Sequence, residues 1–357
     1  MTAAMILIKM RIIRINGSIP MTPRNASLPL ALAAGLLSAF LALPAAAETL
    51  VVYSARNEQL IKPVFDTYTR ETGVEIKFTT GDAAVLIERL AAEGRNSPAD
   101  LLMTVDAGEL WNAANRGLLR PIESAVLERN IPAHLRDPGN RWFGLSQRTR
   151  TIAYNVKKVD PASLSTYEAL AGPEWKGRLC LRTSKKVYNQ SLVATMISAK
   201  GEDATEKVIR GWVANLATDV FPNDTALLEA IAAGQCDVGI VNSYYYGRIV
   251  KERPDFPVKL FWANQGAGGV HVNVSGAGIT QHSRKAAAAT RFLEWLSAGE
   301  AQAFFAAVNM EFPANPAVAV DPIVKSWGEF EPSLINMAEA GRLQPAAVRL
   351  MDRAGYR

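Results

Sequence analysis

Three consecutive tyrosines, Tyr244, Tyr245 and Tyr246, stand out in a chain of 357 residues that has nine tyrosines in all. They follow the apolar run 237–241, which reads as a strand, and they open a helical segment for which Asn242 or Ser243 is a suitable N-cap. At a helix start, Tyr244 and Tyr245 project about 100° apart, so both hydroxyls can converge on one point beyond the terminus. That terminus has free N–H groups and partial positive charge, which favour a small anion.

The chemistry of such a cluster depends on ionisation. A tyrosine hydroxyl has an ordinary pKa near 10, so it ionises at neutral pH only beside a strong Lewis acid or another cation. Ferric iron is such an acid, whereas soft metals prefer thiolates and zinc usually takes imidazole. The tyrosines therefore suit Fe(III). The same rings could instead form an aromatic patch that packs between lobes or stacks against a sugar or an amine, and the residues alone leave both interpretations open.

Other candidate residues lie in three further segments. Tyr188 precedes a predicted helix in the segment 186–191, and Arg148 and Arg150 place two guanidinium groups in the segment 146–150. After the first predicted strand, Arg56 could hold an anion, and Glu58 could supply a carboxylate or simply favour the dipole of the helix that it begins.

The basic residues of the chain are concentrated at its start. The net charge is +5, but residues 1–47 contain four basic residues and no acidic one, which leaves 35 basic and 34 acidic residues elsewhere. An apolar run at 28–43, followed by Ala45, Ala46 and Ala47, predicts a signal peptide over 1–47, with Met21 as the natural start. We therefore expect an exported, periplasmic protein without the cationic field that nucleic-acid binding requires.

The chain contains two cysteines, Cys180 and Cys236, which is too few for a four-thiolate zinc or iron–sulfur site. In an oxidising compartment two cysteines usually pair, so a disulfide between two neighbouring strands is expected. Two buried free thiols are the alternative.

Strands and helices alternate through most of the remaining sequence. Apolar runs at 50–53, 74–78 and 100–105 are separated by amphipathic segments at 58–72 and 83–93, and the alternation resumes at 177–261. This pattern predicts an α/β fold with mixed, mostly parallel sheets flanked by helices. A last helical stretch is expected at 331–340. The sequence has no nucleophile elbow, zinc-protease motif or P-loop, so an enzyme is the less favoured interpretation.

The order of several short motifs resembles the exported solute-binding proteins of ABC importers. These motifs occupy residues 53–55, 73–74, 97–100, 153–155, 276–279, 292–296 and 300–302. The resemblance implies a two-lobed periplasmic-binding-protein fold of type II, hinged by crossing strands and closing on its ligand. It places the first lobe at 48–147 plus 272–322 and the second at 148–271 plus 323–357.

The tyrosine segments resemble one group more closely, the periplasmic ferric-iron-binding proteins, sometimes called bacterial transferrins. By this resemblance Tyr188, Tyr244 and Tyr245 would coordinate Fe(III), and Arg148 and Arg56 would hold carbonate or another small synergistic anion. Many members carry a His or a His-Tyr pair where this chain has Asn57 and Glu58. The implied protein is a monomeric receptor that captures ferric iron or a ferric chelate and delivers it to an inner-membrane ABC permease. A receptor for an organic solute, such as a polyamine, sugar or phosphonate, is the alternative.

Overall fold

A computed structural model describes residues 48–357. The predicted signal peptide, residues 1–47 with Met21 as the start, lies outside the described residues. The strands are β1 (Thr49–Ser54), β2 (Glu75–Thr80), β3 (Leu101–Thr104), β4 (Phe143–Asn155), β5 (Leu179–Cys180), β6 (Val238–Asn242), β7 (Val258–Phe261), β8 (Val272–Ile279) and β9 (Phe312–Pro313). The helices are α1 (Glu58–Thr72), α2 (Ala83–Glu93), α3 (Ala107–Asn115), α4 (Ala125–Asn130), α5 (Val187–Lys200), α6 (Glu202–Ala214), α7 (Asp224–Ala232), α8 (Ser243–Glu252), α9 (Ala286–Leu296), α10 (Gly299–Ala307), α11 (Pro322–Lys325) and α12 (Met337–Arg353).

The strands are ordered β2-β1-β3-β8-β4-β6-β5, and β7 and β9 also pair with β4. The predicted alternation produces parallel pairs where a helix connects neighbouring strands, namely β1 with β2 and β3, and β5 with β6. Every pair that involves β8 or β4 is antiparallel. Each half of the sheet therefore contains both parallel and antiparallel pairs.

Strand β4 connects two halves of the molecule. Its first part, from Phe143 to Thr149, pairs with β8, and its second part, from Arg150 to Tyr154, pairs with β6. Each part also packs into a different hydrophobic core. Phe143 and Leu145 belong to a core built by β1, β3, α1, α3, β8 and α9, whereas Ile152 and Tyr154 belong to one built by α5, α6 and β6.

Two cores joined by a long crossing strand are what the predicted two-lobed α/β fold requires. The lobe boundaries themselves stay a prediction. Helix α12 spans both cores, since Met337 and Ala338 pack in the first while Leu350 and Met351 pack in the second.

The C-terminal helix differs from the prediction for 331–340. It begins after Asn336, whose side chain accepts a hydrogen bond from the Ala338 amide at 2.8 Å, and it continues to Arg353. Gly341, one position beyond the predicted stretch, lies inside the helix, where α12 packs closely on α3. A Cβ added at Gly341 would lie 2.5 Å from the Cβ of Trp111, so only glycine fits there.

The predicted disulfide is confirmed. Cys180 of β5 is bonded to Cys236, two residues before β6, with their Cα atoms 5.9 Å apart. The bond therefore ties together two neighbouring parallel strands. No helix within residues 48–357 is both long and apolar enough to cross a bilayer.

Candidate functional site

Tyr244 and Tyr245 lie in the first turn of α8, directly after β6 ends at Asn242. Tyr244 is buried, and its ring centroid is 4.4 Å from that of Tyr245 with the planes 31° apart. The Asn242 side-chain amide donates a hydrogen bond to the Tyr244 hydroxyl at 3.4 Å. The junction between strand and helix thus holds the two rings side by side, as the sequence predicted.

Tyr188 reaches the same place from the first turn of α5. Its side chain lies close enough to Tyr244 to act on the pKa of the Tyr244 hydroxyl. Arg182 lies over the rings of both Tyr188 and Tyr245, at 5.5 and 5.9 Å from their centroids. Tyr188 therefore forms one cluster with the adjacent Tyr244 and Tyr245, although it lies more than 50 positions before them in the sequence.

Four cations surround this tyrosine cluster. Arg148 and Lys186 lie 5.3 and 5.1 Å from the Tyr188 ring centroid, and Arg248 lies 5.1 Å from that of Tyr244. Arg182 completes the set and its Nη1 donates to the Tyr245 hydroxyl at 3.5 Å. Cations at these positions favour phenolate over phenol, because they stabilise the negative charge that forms on the oxygen.

Burial of Tyr188 and Tyr244 opposes the ionisation of their hydroxyl groups. It raises the pKa of the Tyr188 hydroxyl, although Arg148 acts in the opposite direction. Burial also raises the pKa of the Tyr244 hydroxyl well above its usual value, and repulsion from Tyr188 and Tyr245 adds to this effect. Tyr188 and Tyr244 therefore keep their protons at neutral pH until a cation enters among the oxygens.

Arg150 holds the two tyrosine-bearing segments in place. Its guanidinium donates to the side chains of Asn189 on α5, Asp224 on α7 and Asn242 at the end of β6, at 2.8, 3.0 and 3.1 Å. It also donates to the Ile240 carbonyl at 3.0 Å. Asn189 follows Tyr188 and Asn242 precedes Tyr244 by two residues, so one buried side chain fixes both segments.

The guanidinium group of Arg148 has one N–H donor group that could bind an anion. Its side chain is buried against the tyrosines, and one terminal nitrogen, Nη2, donates to the Val105 carbonyl and lies 3.9 Å from an Asp106 oxygen. The other, Nη1, is shielded from solvent and has no hydrogen-bond partner. A buried guanidinium nitrogen without a partner is costly, and a bound anion would satisfy it.

Arg56 pairs with an acidic residue and not with the tyrosines. Its Nη2 forms a buried ion pair with Glu311 at 2.5 Å and donates to Ser146 and Ser275, while its guanidinium lies 4.2 Å from the Phe305 ring centroid. Burial alone would raise the pKa of Glu311, but Arg56 and Arg148 hold it below its ordinary value. The structure thus joins Arg56 to Glu311 instead of to a tyrosine, and its role as an anion ligand stays a prediction.

Glu58 is exposed in the first turn of α1, where a carboxylate favours the helix dipole. The structure brings it into no contact with Tyr188, Tyr244 or Tyr245. Its role as a metal ligand is therefore also still a prediction, and the simpler helix-dipole interpretation accounts for its position.

Sequence reasoning assigned no role to several charged residues of this region. Arg248 follows Tyr244 by four positions on α8, a spacing that places side chains on the same helix face and could have indicated the contact. Lys186 immediately precedes the first turn that carries Tyr188. For Arg182 the sequence offers no comparable signal, because its position beside Tyr245 depends on the packing of β5 against β6.

Two acidic residues lie at the start of α3. Glu109 is in the first turn of α3, and burial together with the nearby Asp106 raises its pKa to about 8, against the effect of Lys186 and Arg148. Asp106 caps α3 by accepting from the Gly108 amide at 2.8 Å, and burial raises its pKa to about 6. Among residues 48–357, no group of three or more His, Cys, Asp or Glu side chains could hold a metal ion.

The chain is similar to several known proteins over most of its length. The Synechocystis iron uptake proteins A1 and A2 are 39% and 42% identical to it, over 88% and 87% of this chain and 89% and 91% of theirs. The major ferric iron-binding protein of Neisseria meningitidis is 26% identical over 93% of this chain and 99% of its own.

Solved structures agree with these sequence similarities. Trichodesmium FutA (IdiA) in complex with iron and citrate ligands matches with a TM-score of 0.83 and 41% identity, over 87% of this chain and 100% of that one. The ferric binding protein of Campylobacter jejuni matches with a TM-score of 0.80 and 33% identity, over 86% and 100%. The predicted two-lobed, type II periplasmic-binding-protein fold is confirmed. The family model for bacterial extracellular solute-binding proteins matches residues 64–332, and the chain belongs to this family.

Proposed function

We propose that this protein is a periplasmic receptor that binds Fe(III) through the phenolate oxygens of Tyr188, Tyr244 and Tyr245 and delivers it to an inner-membrane ABC permease. The observation that carries the proposal is the tyrosine cluster with its ring of cations. A ferric chelate is an equally suitable cargo, because the cations favour an anionic ligand on the metal.

The charges of the site balance around a trivalent ion. Three phenolates neutralise Fe(III), and each phenolate bond is stronger to Fe(III) than to Fe(II) because the ion carries more charge. A carbonate or another small anion on the metal would lie against the free Nη1 of Arg148. The cations that surround the rings would stabilise this added negative charge.

Two lobes would close over the metal. The cluster residues belong to the predicted second lobe, 148–271 plus 323–357. The surface that would close on them belongs to the predicted first lobe, 48–147 plus 272–322. The separate hydrophobic cores support this division. Closure is driven by ligand contacts that exist only when both lobes reach the ion.

The ring of cations also bears on the alternative of an organic solute. A polyamine would place positive charge against Arg148, Arg182, Lys186 and Arg248, which repel it, whereas a phosphonate would be attracted. A calorimetric titration of residues 48–357 with ferric citrate, aminoethylphosphonate, spermidine and glucose separates these cases. Tight binding of the ferric complex alone is expected, and tight binding of an organic ligand without iron would overturn the proposal.

Binding of Fe(III) is expected to release protons and to weaken in acid. The raised pKa values of Tyr188 and Tyr244 mean that both hydroxyls are protonated in the metal-free protein at neutral pH. Each proton that leaves makes the affinity rise about tenfold per pH unit, so the affinity falls as pH falls. Proton release is measured by adding a ferric salt to weakly buffered protein and recording the pH, with the protons released by the salt itself subtracted. The affinity is measured at neutral and at mildly acidic pH. An affinity that is constant between neutral and mildly acidic pH would contradict phenolate ligation.

A further inference from the structure

A cavity of about 560 Å³ lies beside α5. Its lining is mostly apolar and includes Leu192, Met196, Ala199, Leu334 and Ile335. Leu334 is 69% exposed, so a ligand in the cavity would cover apolar surface that otherwise faces water. The described residues that line the cavity include none of the clustered tyrosines and none of the cations around them. Its size and lining are typical of a site for a small organic molecule.

His271 borders this cavity with an unsatisfied imidazole ring. The residue is 2% exposed, and its Nδ1 atom is shielded from solvent and has no hydrogen-bond partner among residues 48–357. Its backbone is fixed, because its amide donates to the Tyr167 hydroxyl at 3.1 Å and its carbonyl accepts from the Arg150 amide at 3.0 Å. Burial above all, with Arg150 and Arg148 adding to it, lowers the pKa of the ring to about 3. The ring is therefore neutral, with one N–H donor and one acceptor nitrogen, and leaving these groups buried without partners costs free energy.

The charges around the cavity favour an uncharged ligand. Lys200 and Glu168 are the two charged residues among those that line it, and the Lys200 Nζ atom lies 3.3 Å from Glu168 Oε1. Glu168 also accepts from the Asn264 side chain at 3.2 Å. Since each charge already has its partner, a carboxylate or ammonium group on the ligand would enter the cavity unpaired, at a cost in free energy. A hydroxyl group both donates and accepts, so it can satisfy either tautomer of the imidazole without adding a charge.

We infer that this cavity is a second ligand site, which binds an uncharged, mostly apolar organic molecule through a hydroxyl group hydrogen-bonded to the His271 ring. The apolar body of the ligand would pack against α5 and Leu334. The site lies where β4 passes between the two cores, because the residue whose amide bonds to the His271 carbonyl is Arg150, the first of the second part of β4. The inference does not depend on iron, so it is tested on the metal-free protein and its failure would leave the proposed function unaffected.

The test uses phenylpropanol, a phenyl ring on a primary alcohol chain, titrated into the metal-free protein and followed by saturation-transfer NMR. A dissociation constant below about 1 mM is expected for a ligand of this size. Ala199→Trp should weaken binding at least about tenfold, because Ala199 is an exposed residue at the edge of the cavity and the indole ring would fill it. Ser198→Trp is the matched control. Ser198 is the exposed neighbour on α5 that does not line the cavity, so the dissociation constant should change less than about twofold.

A series of ligands tests the chemistry of the site without changing the fold. Phenylpropanoate and phenylpropylamine carry the same ring with a negative or a positive charge, and both are expected to bind at least about tenfold more weakly than the alcohol. His271→Leu keeps a side chain of similar bulk without the ring nitrogens, and it should weaken binding of the alcohol about 3–10-fold. Thermal unfolding of this variant establishes that it is folded.

Four results would overturn the inference. They are no binding of phenylpropanol at about 10 mM, equal losses of binding in A199W and S198W, a charged analogue that binds as tightly as the alcohol, and an unchanged dissociation constant in folded H271L. If H271L does not fold, the comparison of A199W with S198W and the ligand series decide the question.

Discussion

Replacing Tyr244 by phenylalanine is expected to lower the affinity for Fe(III) by at least about 100-fold, since changes that only orient a metal ligand already cost 10–100-fold. Phenylalanine retains the ring that packs against Tyr245, so the metal-free protein should unfold at nearly the wild-type temperature. Tyr188→Phe should behave in the same way. The measurement is competition for iron against citrate at increasing citrate concentration.

The third tyrosine of the triplet provides the matched control. Tyr246 packs against Trp327, with ring centroids 5.8 Å apart, and burial raises its pKa without any contribution from Tyr188 or Tyr244. Tyr246→Phe is therefore expected to leave iron affinity unchanged. Equal losses in Y246F and Y244F would show that the tyrosines act as an aromatic wall and not as ligands.

Removal of the Arg150 side chain is expected to lower the free energy of unfolding strongly. Arg150→Met leaves the buried Asp224 carboxylate without its closest cationic partner, and breaking a buried pair in this way costs about 3–5 kcal/mol. Arg182, at 3.7 Å from the other Asp224 oxygen, offsets part of this cost. Since Asn189 and Asn242 also lose their donor, iron affinity should fall together with the free energy of unfolding.

Denaturant unfolding of the metal-free variants measures this effect. Arg253→Met is the control, because Arg253 forms an exposed ion pair with Glu229 in the same predicted lobe and should change the free energy of unfolding very little. An R150M variant as stable as R253M would contradict the anchoring role of Arg150.

The parts of the site that the sequence predicted are those that local structure determines. The first turn of α8 alone places Tyr244 beside Tyr245, and the cysteine count in an exported chain predicts the Cys180–Cys236 bond. The convergence of Tyr188 with Tyr244 needed the family resemblance, because no periodicity relates segments that are more than 50 residues apart.

The parts that sequence reasoning missed depend on long-range packing. Arg56 pairs with Glu311, which is 255 positions away, so its position beside the first strand gave no indication of that partner. The helix predicted at 331–340 instead spans Met337–Arg353, and close contact with Trp111 requires glycine at position 341 inside it.

The most direct test of tyrosine ligation is resonance Raman spectroscopy of the iron-loaded protein, with excitation in its visible charge-transfer band. The account predicts enhanced ring vibrations of coordinated tyrosinate in the wild type and in Y246F, and their loss or marked change in Y188F and Y244F. A stoichiometric Fe(III) complex without tyrosinate vibrations, or with the same vibrations in all four proteins, would contradict it.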